Sequence, residues 1–310
     1  MKKQITILLL FSFFITYTSS YAQKAPGKNY RPIVLDPNYN HTKWGITPTD
    51  LVYYFAAYTT SFDSDDDNNG DGTPDIWGVP EWVAYEIKRK SDKPMPEYKR
   101  PASWLTDDSF NAKGIVPNDD TYAVAGTNEM KVVKDDYRFV RGHMCPKETA
   151  DRMGEDAGYN THTMLNAVPQ LQWQNNGIWK LLEQKCMVWA DKYGQIWVVS
   201  GPANFKKNPS MWLGQNGEVK AAIPDAIYKI VIRENKESQT GVKTLAFLFP
   251  NIIPKEMKDI SDFLTSIEEI EKITGLHFLT NLSKDNQLIE KKKLQDVSEN
   301  TNKQGVIDQW

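Results

Sequence analysis

Apolar residues in this chain fall into a few dense blocks separated by long polar stretches. The first block, Ile5 to Ile15, follows Met1-Lys2-Lys3 and leads into Thr16-Tyr17-Thr18-Ser19-Ser20-Tyr21-Ala22, the three-part pattern of a secretory signal peptide. The run is shorter than the roughly 20 residues that span a bilayer. Cleavage after Ala22 is therefore expected, giving a secreted or periplasmic chain that begins at Gln23. No Cys follows the block, so a bacterial-type lipid anchor is not supported, and no later segment is apolar enough to enter a membrane.

Gln23 to Thr49 is rich in Pro, Asn, Lys and Tyr without a period and predicts an extended arm with little structure of its own. Leu51 to Thr59 predicts one buried strand, and Glu81 to Lys88 a half-buried strand in which Trp82, Ala84 and Glu86 alternate with Val83, Tyr85 and Ile87. Residues 91 to 137 predict surface loops, and Gly142 to Pro146 a compact turn. Asn175 to Tyr193 predicts a helix carrying Ile178, Leu181, Leu182, Val188 and Trp189, stopped by Gly194. Three apolar strands follow at Ile196 to Ser200, Ala226 to Ile232 and Thr244 to Phe249. Met257 to Thr274 repeats Ile260, Phe263, Leu264, Ile267, Ile270 and Ile273 at helical spacing and predicts one amphipathic helix packed on that sheet. Lys284 to Trp310 predicts a polar, frayed tail.

Composition adds limits to this outline. Without the signal the chain is long enough for one large domain or two small ones. Cys145 and Cys186 leave two arrangements open, one disulfide or two separate thiols. The formal net charge of −3 becomes more negative once Lys2 and Lys3 are removed, so there is no global basic field. That argues against a tight nucleic-acid binder but leaves room for an enzyme with a local cationic groove.

Candidate chemistry begins with four histidines. His41 lies in the arm, His162 among polar neighbours, and His277 in an apolar strand that predicts a core imidazole. His143 differs in following Arg141-Gly142, where a small residue permits close backbone approach and a guanidinium can face a phosphate. Asn175, Trp179 and Glu183 are spaced four apart, within an arc of about 80° on a continuous helix. An amide and a carboxylate so placed suit a hydrated Mg²⁺. Taken alone, the same spacing more often means a helix-start Asn, a core Trp and a surface Glu.

The combination is more specific. Arg141-Gly142-His143, then Asn166 with Pro169-Gln170, then Asn175, Trp179 and Glu183, in that order, resembles the DNA/RNA non-specific endonuclease family of the ββα-metal nucleases. Pro80 to Glu86, Ile223 to Lys229 and Ser266 to Leu276 extend the resemblance over roughly Pro80 to Leu282. The resemblance implies an α+β fold, a central, mostly antiparallel sheet flanked by helices with a ββα-metal site. It implies that His143 is the general base, Asn175 the one direct protein ligand of Mg²⁺ (with Mn²⁺ as the alternative), and Glu183 a holder of water on that ion. It also gives Arg100 the charge on the phosphorane, with Arg138 or Arg141 as substitutes, and Asn166 the orientation of His143 or the phosphate. DNA and RNA are the implied substrates and 5′-phosphates the implied products. One position departs from the family pattern: Val140 stands where an Asp usually precedes Arg-Gly-His, and Asp135 or Asp136 are candidates to replace it.

A separate signal lies in Asp67, Asn69, Asp71 and Asp75, oxygen ligands at near-alternating positions with Gly72 for the turn, as in Ca²⁺ loops. Either a structural Ca²⁺ site or a solvated acidic turn satisfies that pattern. The expected organisation is a signal peptide at 1–22, an arm and strand at 23–61, the acidic loop at 62–75, the endonuclease domain at 76–283 and the tail at 284–310. Two other functions stay open at this point: a Ca²⁺-dependent surface binding protein on a degenerate nuclease core, and a phosphodiesterase for small nucleotides. The sequence leaves the oligomeric state undetermined.

Overall fold

The apolar blocks that follow residue 194 form the centre of a seven-stranded sheet in a computed structural model. The model describes residues 22–64, 75–92, 94–124, 130–131, 137–257, 259–292 and 303–310. The elements that matter here are β1 (Leu51–Tyr54), β2 (Thr59–Phe62), β3 (Pro80–Lys88), β4 (Phe139–His143), β5 (Ala167–Leu171), α1 (Lys180–Tyr193), β6 (Gln195–Ala203), β7 (Ala226–Glu234), β8 (Val242–Pro250), β9 (Leu264–Thr265) and α2 (Ile267–Thr274). The sheet runs β9-β8-β7-β6-β3-β2-β1, every pair antiparallel. This is the expected α+β arrangement.

Strand alternation divides the core in two. Val83, Tyr85 and Ile87 of β3 pack with Leu182, Cys186 and Trp189 of α1, while Trp82 and Ala84 pack with Ile267 and Ile270 of α2. β3 was expected to be half-buried but is covered on both faces. α2 covers Trp82 and Ala84, and the arm covers the Glu86 end: Asn40 N–H donates to Glu86 Oε2 at 2.8 Å, and the His41 ring bridges the Ala56 carbonyl (3.0 Å) and Glu86 N–H (3.1 Å). The arm is therefore docked, with a short ladder from Ile46–Thr47 to His277–Phe278. In that ladder Phe278 turns inward and His277 outward, so His277 is exposed and not a core imidazole.

Other expectations change for local reasons. The single strand over Leu51 to Thr59 is two strands, because Phe55 N–H bonds the Tyr58 carbonyl (2.8 Å) and turns the chain between β1 and β2. The helix over Met257 to Thr274 is shorter. Leu264–Thr265 pairs with β8, and Ser266 starts α2 as an N-cap, its hydroxyl accepting from Glu269 N–H at 3.0 Å. The tail carries helices at Lys284–Lys292 and Lys303–Gln309, and Trp310 is buried against Trp189 of α1, centroids 4.7 Å apart. Cys145 and Cys186 are both buried free thiols. Among the described residues no helix is long and apolar enough to cross a membrane. The proposed signal segment up to Tyr21 lies outside the described residues, as do Asp67, Asn69 and Asp71 of the acidic loop.

Apart from the large sheet, β4 and β5 form a two-stranded antiparallel ribbon whose register runs from Phe139↔Leu171 to His143↔Ala167. Asn251, just beyond β8, fastens it to the rest. Its Oδ1 accepts from Leu171 N–H (2.9 Å), and its Nδ2 donates to the carbonyls of Pro169 (2.9 Å) and Pro224 (3.0 Å).

Candidate active site

Gly142 is the point where the ribbon is tightest. A Cβ there would lie 2.0 Å from Gln170 Oε1 and 2.6 Å from Gln170 Cβ, so only glycine lets β4 approach β5 at that register. His143 ends the strand. The turn that follows is held by Asn166, whose Oδ1 accepts from Cys145 N–H (2.8 Å) and whose Nδ2 donates to the Cys145 and Thr161 carbonyls (2.9 and 3.0 Å). Asn166 is fully buried and all of these partners are backbone. It fixes the backbone beyond His143 through main-chain partners, an indirect hold on the base in place of the expected direct contact with the imidazole.

After β5 the chain enters a π-helical turn, Asn175–Trp179, before α1 begins. Gly177 leaves helical geometry at φ −103° and ψ −107°. The sequence predicts one continuous helix from Asn175; the break at Gly177 interrupts it, so the 80° arc from Asn175 to Glu183 does not hold. Trp179 is fully buried, and its Nε1 donates to the His143 carbonyl at 3.3 Å. That bond joins the turn bearing Asn175 to the strand bearing His143.

Arg100, Trp104, Arg141, His143, His162 and Asn175 come together around a cleft of about 420 Å³. A larger groove of about 660 Å³ lies on the side of the sheet that carries the end of α2, and none of the expected catalytic residues lines it. Arg100 is largely exposed, 3.7 Å from Glu148. Arg141 is the opposite case: its buried guanidinium pairs with Asp119 at 2.5 Å and lies near the rings of Tyr122 and Trp104 (5.5 and 5.7 Å). The carboxylate beside Arg141 thus comes from Asp119, a residue of a stretch expected to be loop; Asp135 and Asp136 lie outside the described residues. Arg138 is exposed and does not line the cleft.

Burial chiefly, then the neighbouring His162, Arg100 and Lys147, hold His143 well below its usual range, so the imidazole is neutral near pH 7. Burial also brings His162 down to about 4. Glu183, on α1, is not among the residues that line the cleft. Burial raises its carboxyl to about 7, against the opposing pull of Lys229. Lys229 is itself fully buried, donating to Tyr85 Oη at 3.1 Å with its ammonium 4.1 Å from the Trp179 ring centroid.

Among the described residues no group of three or more His, Cys, Asp or Glu is placed to hold a metal ion. What the cleft offers is the Asn175 amide, whose Nδ2 donates to Asn176 Oδ1 at 3.4 Å. A single neutral oxygen donor fits Mg²⁺, which gives up its water reluctantly. Four residues went unnoticed as site members in the sequence: Trp104, Asp119, His162 and Asn251. None carries a local motif, and each reaches the ribbon from a distant segment.

The model of the family described as DNA/RNA non-specific endonuclease matches residues 73–285. A nuclease of Serratia marcescens is 30% identical over 216 residues, 68% of this chain and 73% of that protein. The mitochondrial nuclease EXOG of Danio rerio is 32% identical over 151 residues, 46% of this chain and 43% of that protein, so the match spans less than half of that relative. A solved complex of EndoG with its inhibitor EndoGI superposes with a TM-score of 0.60 at 20% identity, covering 79% of this chain and 92% of that one, which speaks for the fold. The family match spans the ribbon, the π-helical turn and the whole described cleft, and on that extent this chain belongs to the DNA/RNA non-specific endonucleases.

Proposed function

We propose that the chain is an exported, Mg²⁺-dependent endonuclease that hydrolyses phosphodiester bonds in both DNA and RNA. The observation that carries this reading is a neutral His143 in the same cleft as Asn175 and Arg100. A general base must be unprotonated to act, and burial supplies that state here. Water attacks phosphorus, its oxygen forming the new P–O bond as His143 takes its proton. The bond to the 3′-oxygen breaks, and that oxygen is protonated from solvent, leaving a 5′-phosphate. Arg100 faces the charge that builds on the phosphoryl oxygens. Asn175 is the residue that would hold Mg²⁺, which when bound supplies further stabilisation of that charge. Glu183 of α1 is the carboxylate that would order water on that ion. Asn166 and Trp179 keep the base in place through its backbone.

The reading is tested by digesting supercoiled plasmid, single-stranded RNA and bis(p-nitrophenyl) phosphate side by side, each with Mg²⁺, Mn²⁺ or EDTA. Both polymers should be cut with metal and spared in EDTA. His143→Ala should lower the rate at least ~10²-fold, the lower end of a positioned base's contribution. A folded His143→Ala protein of near-normal activity refutes the mechanism, and cleavage of the small diester alone refutes the substrate assignment. Mass spectrometry of protein recovered from the secreting cell should place the N-terminus at Gln23, and an intact Met1 refutes export.

A further inference from the structure

We propose that Lys229 is a positioning residue: from the centre of the sheet its ammonium holds the Trp179 ring, and through that ring the contact between the Asn175 turn and the His143 strand. Lys229 stands midway along β7, paired with Ser200 of β6 and Phe247 of β8. Ile227 and Val231, two residues to either side, belong to the core shared with α1. Strand alternation therefore places Lys229 on that apolar face. It is fully buried, where a lysine is rarely found unless paired. Its ammonium donates to Tyr85 Oη at 3.1 Å and lies 4.1 Å from the Trp179 ring centroid.

Burying an ammonium is costly, and an apolar side chain of similar volume often serves such a position as well or better. The fold alone gives no reason for the charge. What the charge adds is attraction to an aromatic face, which is strongest for tryptophan and grows when the cation is desolvated. Phe249 meets the same indole edge-on, centroids 5.8 Å apart. Cation and phenyl ring together fix the plane in which the Trp179 N–H points.

That plane matters because of where the N–H goes. Trp179 Nε1 donates to the His143 carbonyl at 3.3 Å, longer than the usual ~2.9–3.0 Å, so the bond depends on the ring being held in line. Asn175 lies four residues before Trp179, on the other side of the break at Gly177 (φ −103°, ψ −107°). The regular helical path is interrupted between them, and the Trp179 side chain is the direct tie from this turn to the strand of the base. Lys229 also opposes the rise of the Glu183 carboxyl, a second route to the site that the experiment separates from the first.

This inference rests on His143 and Asn175 acting in the proposed cleavage, so its first test avoids activity. Lys229→Met keeps the reach of the side chain and removes its charge. In ¹⁵N-labelled protein the Trp179 indole N–H, assigned with Trp179→Phe, should move upfield and exchange faster with solvent in Lys229→Met. Urea unfolding should find that variant no less stable than wild type. Its kcat for plasmid cleavage should fall roughly tenfold, within what a desolvated cation on a ring is worth as a population. KM should change less than about twofold, because no substrate contact is lost. Added to Trp179→Phe, Lys229→Met should slow cleavage little further, since both act through one bond. An unmoved Trp179 resonance, an unchanged kcat, or losses that multiply in the double variant, as they would if Lys229 acted through Glu183, overturn the proposal. If Lys229→Met does not fold, the wild-type protein decides: the ε-protons of Lys229 should carry an upfield ring-current shift, and ordinary shifts there overturn it. Retained activity in His143→Ala would instead sink the proposed base and leave the Trp179 resonance result standing.

Discussion

The indole Nε1 of Trp179 donates to the main-chain carbonyl of His143 at 3.3 Å, joining the turn that bears Asn175 to the end of the strand that bears the base. Trp179 is fully buried, edge-on to Phe249 at 5.8 Å and beneath the Lys229 ammonium, so its position is set by the sheet. Trp179→Phe should keep most of the packing and lose the donor. The expected cost is about 1 kcal/mol in urea unfolding, with a several-fold fall in plasmid cleavage as the separation of His143 and Asn175 loosens. Loss of stability with an unchanged rate would show that the bond serves only the fold.

Burial and nearby positive charge depress His143. A base with a lowered pKa stays unprotonated further into acid, so the acid limb of kcat/KM should fall below pH 6.5, the ordinary histidine value. A rate profile from pH 4.5 to 8 at fixed Mg²⁺ reads this directly. An acid limb above pH 6.5 would mean that the titrating group is not this imidazole.

How far such relationships were legible in the sequence depends on their reach along the chain. β6, β7 and β8 were plain as apolar runs, because a strand covered on both faces needs nothing else. Arg141, Gly142, His143 and Asn175 were legible as a spaced set because one ribbon and one turn carry them. The details of that turn were not: Gly177 breaks the helical path at a position where a Gly in sequence could equally have been tolerated in a helix. Asp119 and His162 were hidden for another reason. Each is an ordinary polar residue in its own segment and gains meaning from a partner that only the fold brings near. The docking of the arm has no signal in the sequence because its anchors, Tyr30, Asn40 and His41, act through isolated polar contacts without a period.

Asp119 supplies the negative charge beside Arg141, whose side chain is 9% exposed against 40% for the aspartate. Removing the carboxylate leaves a nearly buried guanidinium with carbonyl, sulfur and ring contacts but no ion-pair partner among the described residues. Asp119→Asn should therefore destabilise by about 1–2 kcal/mol, less than for a fully buried pair because solvent reaches the aspartate. Replacing both residues, Asp119→Asn with Arg141→Met, should recover part of that loss in urea unfolding. If the double variant is worse than the sum of the single ones, the pair does not act as a charge pair.

Asp107 links the arm to the segment beside His162. Tyr30 Oη and Thr163 Oγ1 both donate to its carboxyl, and Leu105, two residues before it, bonds the His162 carbonyl. The side chain is fully buried, and burial raises its pKa from the ordinary 3.8 to about 7 in spite of those two donors. The sign follows from proton binding. Between pH 3.8 and about 7 the folded protein holds a proton on Asp107 that the unfolded chain has released, so unfolding releases protons and stability falls as pH rises. Below that window the contribution is fully present, and above it the loss is complete. Asp107→Asn cannot ionise, so its stability relative to wild type should improve as pH is raised from 4 to 8, with most of the change below pH 7. Paired urea titrations at pH 4.5, 6 and 8 measure this difference. A difference independent of pH would mean that Asp107 ionises normally in the fold and that the Tyr30 contact survives on a charged carboxylate.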